Sequence, residues 1–219
     1  MALTKFNFNS FDVTTAASTG LGFNASANGF STISSTSMVL IKTLTASSDS
    51  TLSFVNGSSD VVLDSTYPVY LFKYINIHAA SDEVDFSVNF RDGGSSYDAT
   101  KTSSAFAANV DESGNNASVF SWGSRDLAQS TGVQKIASAL GNGGDECGSG
   151  ELYLFNPSST TFVKHYISRS NGYHASNYTV DQYIAGYCNV TAAIDAVQFS
   201  MSSGNIDAGT IKLYGIKDS

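Results

Sequence analysis

Two neighbouring segments limit this chain more than any other feature. VYLFKYINIH (69–78) places Val69, Leu71, Lys73, Ile75 and Ile77 on one side and Tyr70, Phe72, Tyr74, Asn76 and His78 on the other. Both sides are largely apolar, as expected of a strand covered on both faces and set centrally in a sheet. VDFSVNF (84–90) alternates more cleanly, with Val84, Phe86, Val88 and Phe90 inward and Asp85, Ser87 and Asn89 outward. A repeat of two residues cannot form a helical stripe, so a β framework is predicted around this pair.

Further strand signals follow the same period. MVLIKTL (38–44), TLSFV (51–55), ELYLF (151–155), TFVKHYISR (161–169), TVDQYIAGYC (179–188), AIDAVQFSM (193–201) and GTIKLYGI (209–216) are rich in β-branched and aromatic residues. ASVFSW (117–122) is a weaker candidate, and the rest of 95–124 carries little pattern. Turn dipeptides such as Asn56-Gly57 and Asn156-Pro157 separate the runs. One helix is expected at 126–141, where Leu127, Val133, Ile136, Ala137 and Leu140 fit helical spacing and Gly141 gives a stop. The glycine cluster at 141–150 reads as a mobile loop. Eight to ten strands at this spacing predict an all-β fold, an antiparallel two-sheet β-sandwich of jelly-roll type with one short helix.

Residues 1–38 differ. They are rich in Ser, Thr, Ala, Asn and Gly, with isolated aromatics at Phe6, Phe8, Phe11, Phe23 and Phe30. Such a segment has too little apolar surface to fold alone. It is expected to be an extended N-terminal arm or short hairpin, with Phe6, Phe8 and Phe11 as candidate docking anchors and the sandwich occupying 39–219.

Composition narrows the function. The net charge is −8 over 219 residues, which disfavours nucleic-acid binding because phosphate neutralisation needs a basic face. Ser and Thr make up about a quarter of the chain, well above ordinary composition. With 14 Phe, 11 Tyr and 1 Trp, intrinsic disorder is excluded. No run of residues is apolar enough for a membrane span, and MALTKFNFNSFDV lacks the apolar stretch of a secretory leader. No membrane partner is therefore expected.

Chemistry is sparse. Cys147 and Cys188 have no metal-type spacing and are expected to be free thiols. His78, His165 and His174 form no ligand motif. The acidic pairs Asp111-Glu112 and Asp145-Glu146 fall in turns, where Asp is favoured on conformational grounds. No nucleophile elbow and no phosphate-binding loop is present. No catalytic residue, metal or cofactor is expected, and the chain reads as non-enzymatic. Tyr166, Tyr173, Tyr178 and Tyr183 cluster within two strands and their connection; ordinary sheet packing is the first reading of them, and as candidate surface or interface aromatics they suit a subunit contact or stacking on sugars.

Several blocks resemble a family of virion structural proteins from marine bacteriophages of cyanophage and pelagiphage type. They are FNSFDVTTAASTGLGFNASANGF, LTASSDSTLSFVNG with YPVYLFKYINIHAASDEVDFSVNF, DLAQSTGVQKIASALGNGGDECGSGELYLFNPSSTTFVKHY, and AIDAVQFSMSSGNIDAGTIKLYGI. They cover nearly the whole chain in the family's order. The resemblance implies a virion protein, synthesised in the host cytoplasm, that decorates the capsid or forms a tail or fibre appendage. It implies other virion proteins as partners and a homo-oligomer. A carbohydrate-binding module for host-surface glycan is the alternative, and a glycan-degrading enzyme a distant third for want of a placed carboxylate pair.

Overall fold

The computed structural model describes residues 20–23, 26, 30–33 and 37–217. Phe6, Phe8 and Phe11 lie outside the described residues. Backbone contacts divide the chain into two units, 1–37 with 219, and 38–218. In the first unit, β1 (Gly20–Phe23) and β2 (Phe30–Ile33) form an antiparallel hairpin. The Phe23 and Phe30 rings stack across it at 5.1 Å.

The second unit holds thirteen strands: β3 (Met38–Thr45), β4 (Thr51–Val55), β5 (Val69–Ala79), β6 (Val84–Arg91), β7 (Lys101–Asp111), β8 (Ala117–Ser121), β9 (Leu127–Ser130), β10 (Gln134–Leu140), β11 (Gly148–Phe155), β12 (Lys164–His174), β13 (Tyr178–Cys188), β14 (Ala196–Met201) and β15 (Ile206–Ile216). All pairings are antiparallel. One path runs β3-β15-β5-β11-β12-β10-β6-β14-β4, and β13 extends from β12 to β7, which also carries β8 and β9. β12 and β10 meet at Leu140 and His174. The sheet turns there and wraps, nearly closed, around one core. Pairing therefore gives an all-β antiparallel fold, as expected, in a single continuous sheet.

The expected helix at 126–141 is not formed. Among the described residues there is no α-helix, only a 3-10 turn at Gly123–Arg125. Residues 127–130 and 134–140 are β9 and β10. The reason lies in β10, whose residues Gln134 to Leu140 oppose only Val88 to Val84 of β6, with register breaks on either side of Ala137. Seven residues face five. Two local insertions shift the phase of the apolar positions, and the resulting spacing imitates that of a helix.

β5 lies between β15 and β11, central as predicted. Tyr70, Phe72 and Tyr74 point into the core, but Ile77 and Ala79 take over beyond Asn76, which has φ = 53°. Register shifts against β11 and β15 occur at the same place, so the strand bulges and its inward phase switches. Phe54, Phe72, Phe86 and Phe199 then meet edge-on, tilted or stacked, with centroids 5.3–6.3 Å apart. The outward phase of β6 is also buried, contrary to its expected exposure. Asp85 is covered by Arg125 and Lys135, at 3.1 and 2.7 Å, and Asn89 by Lys101.

Candidate functional site

The strand order β15-β5-β11-β12-β13-β7 spreads a broad outer face, and register fixes what stands on it. One row runs Leu40, Tyr214, Leu71, Tyr153, Ile167, Ala185, Ser104. The next row carries Lys73, Glu151, Arg169, Tyr183 and Phe106. Cross-strand neighbours on one face interact directly. Here Lys73 lies 3.8 Å from Glu151, and Arg169 forms a two-bond fork with Asp181 at 3.1 and 2.9 Å. The Arg169 guanidinium sits 4.9 Å over the Tyr183 ring, and Tyr183 stacks on Phe106 at 4.7 Å, 3° from parallel. Arg169 holds the Asp181 carboxyl below its ordinary range. The result is an ordered platform of alternating charge and ring surface.

Large apolar side chains flank this platform without cover. Leu40 is 51% exposed, Ile167 48%, Phe106 52% and Val119 on β8 78%. Leu40 and Ile167 stand in the first row with buried Leu71 between them, Phe106 in the second, and Val119 opposite Ala108. Single exposed hydrophobics are ordinary on a monomer, and several on one face favour an interaction surface.

Tyr173 and Tyr178 lie elsewhere, at the end of the β12–β13 hairpin. They line an open cleft of about 370 Å³ with Glu112, Asp145, Cys147 and Asn171. The Tyr173 hydroxyl donates to Glu112 Oε1 at 3.0 Å, with Asn177 Oδ1 also 3.1 Å away, and the bond to Glu112 raises its pKa. The Tyr178 ring meets His174 edge-on at 5.8 Å. The glycine-rich loop beside the cleft is held by Glu146, whose carboxylate accepts the Gly143 N–H at 2.7 Å and packs where a Gly141 side chain would stand. Glycine is required there because the carboxylate approaches the backbone so closely.

The four tyrosines are thus not one cluster. Tyr183 belongs to the platform, and Tyr173 and Tyr178 to the cleft. Tyr166, expected at the surface, is fully buried, packed against Phe90 at 5.1 Å and donating to Gln134 Oε1 at 3.0 Å. It lies on the opposite phase of β12 from Arg169 and Ile167. Sequence reading passed over Arg169, Asp181, Phe106 and Ile167. The inward phase of β12, Lys164, Tyr166, Ser168 and Ser170, is about as polar as its outward phase, His165, Ile167, Arg169 and Asn171, so alternation alone does not say which side faces the core.

Cys147 and Cys188 are free thiols, and burial pushes Cys188 up to about 12. Among the described residues no three His, Cys, Asp or Glu side chains gather into a possible cation site. No helix there is long and apolar enough to cross a membrane. Set against protein-family models, curated proteins and solved structures, the chain matches none.

Proposed function

We propose that this chain is a non-enzymatic structural protein of a bacteriophage virion, placed at the particle surface as a capsid decoration or a tail or fibre appendage. The observation that carries the reading is the set of exposed apolar and aromatic side chains on the outer face of the sheet, Leu40, Ile167, Phe106 and Val119. Several exposed apolar side chains gathered on one face suit packing within an assembly. The antiparallel all-β body and the four-block resemblance to phage structural proteins agree with it. In finer detail we read the fold as a jelly-roll sandwich. One layer is β4-β14-β6-β10, and the other is the longer row from β3 to β7, joined at the Leu140–His174 corner. Residues 1–38 are the docking arm, with Phe6, Phe8 and Phe11 as anchors, and copies of the body pack through the platform face as a homo-oligomer within the virion.

The test is mass spectrometry of purified particles from a phage encoding this chain. The protein is expected among the virion components at a stoichiometry of many copies, and its absence from intact particles contradicts the reading.

A second reading rests on the cleft, which Tyr173, Tyr178, Glu112 and Asp145 line; tyrosine rings can stack on sugars and carboxylates can accept their hydroxyls. In this reading the protein also binds host-surface glycan. Binding to a glycan array is expected to fall when Tyr173→Ala or Tyr178→Ala is introduced, and unchanged binding removes the second reading while leaving the first.

A further inference from the structure

Lys101 opens β7 and has no exposed surface. Its Nζ donates to Asn89 Oδ1 at 2.5 Å and to the Ala99 carbonyl at 2.6 Å. Among the described residues no carboxylate lies within ion-pair distance of it. A buried ammonium without a counter-ion is costly, so the neutral amine becomes accessible. Burial lowers its pKa to about 8, against attractive fields from Cys188, Asp98 and Asp92. A neutral lysine amine is a nucleophile.

An electrophile is within reach. The amide C=O bond is about 1.23 Å long, so Nζ stands no more than about 3.7 Å from Asn89 Cγ, close to an attack distance. The amide is held from both ends. Its Oδ1 accepts the Phe90 N–H at 3.0 Å, and its Nδ2 donates to the Thr131 carbonyl at 3.3 Å. A backbone N–H on Oδ1 stabilises the negative charge that develops there during acyl transfer. Asn89 is 8% exposed, so water is poorly placed to compete.

We propose that Lys101 and Asn89 become joined by an intramolecular isopeptide bond. The Nζ lone pair attacks Cγ, and Oδ1 carries the charge of the tetrahedral intermediate. The Cγ–Nδ2 bond then breaks. The proton released by Nζ leaves on Nδ2, so the products are the amide cross-link and one ammonia, with no oxidant or cofactor consumed. The link ties the end of β6 to the start of β7.

Lys164 supplies the internal control. It is equally buried, sits in the same row across Cys188, and donates to the main-chain carbonyls of Val190 and Ala192. It has no side-chain amide to attack and stays free.

The experiment is intact-mass spectrometry of the purified, folded full chain, followed by digestion and fragmentation. The wild type is expected to weigh one ammonia less than its sequence and to yield a branched peptide joining Asn89 and Lys101. Asn89→Ala and Lys101→Met are expected at full sequence mass, and Lys164→Met still one ammonia short. A wild type that keeps its full mass after prolonged incubation overturns the proposal. So does an ammonia loss that fragmentation places at any other residue. The wild-type measurement decides the matter even if a variant fails to fold.

Discussion

The interior has two unlike ends. Around β4, β5, β6 and β14 it is aromatic, with Phe54, Phe72, Phe86 and Phe199 in mutual contact. Between β7, β10, β12 and β13 it is polar, with Gln134, Ser168, Ser170, Gln182, Lys101 and Lys164 all buried. Gln134 Oε1 accepts from Ser103 Oγ at 2.6 Å and from the Tyr166 hydroxyl, while its Nε2 donates to the Arg125 carbonyl at 3.0 Å. Gln182 Nε2 donates to the Lys135 carbonyl at 2.9 Å. The aromatic end is stabilised by apolar area, which is non-directional. The polar end is held by directional bonds whose donors and acceptors must match, because an unmade buried bond costs more than a made one contributes. Area thus supplies most of the stability, and the polar end sets how β10 and its bulges seat on the larger sheet.

Phe199→Ala removes a ring that touches three others and should destabilise by about 3–5 kcal/mol, seen as a drop in urea midpoint. Gln134→Leu removes the acceptor for two hydroxyls and should cost about 1–3 kcal/mol. If Gln134→Leu proves worse than Phe199→Ala, the division of labour between the two ends is wrong.

Alkaline titration probes buried acids at both ends. Burial raises Cys188 from 9.0 and Tyr70 from 10.0, each to about 12, and raises Tyr74 and Tyr166 as well. In each case the folded state holds its proton longer than the unfolded chain does. The stability this provides is complete below pH 9.0 and is lost as pH climbs through the folded values. The urea midpoint should therefore fall above that pH, and Tyr166→Phe should make the fall shallower. A midpoint that rises with pH contradicts the burial of these groups.

The smallest effect on stability belongs to the outer face. Phe106→Ser and Ile167→Ser should change unfolding by no more than about 0.5 kcal/mol yet abolish self-association in analytical ultracentrifugation. A large loss of stability without loss of association would make these residues part of the fold rather than of an interface.

Much of the β framework was readable before the structure. β4 ends where its alternation ends, at Val55 beside Asn56-Gly57, and the central place of β5 followed from its two apolar sides. Two failures have physical causes. β7 left no mark because its buried positions are Lys101, Ala105 and Ala107, and a charge and two methyl groups make no hydrophobic period. β10 read as a helix because its bulges shift a period of two. The site was less legible. Tyr183 was found, but its partners Phe106, Arg169 and Asp181 come from strands whose register no local pattern encodes. Tyr166 was misplaced because both phases of β12 mix polar and apolar residues.

The most direct measurement is a density map of the intact particle. The account predicts this chain in it, in repeated copies, with Ile167, Tyr183 and Phe106 packed against a neighbouring subunit. A particle that lacks the chain, or that leaves that face open to solvent, would contradict it.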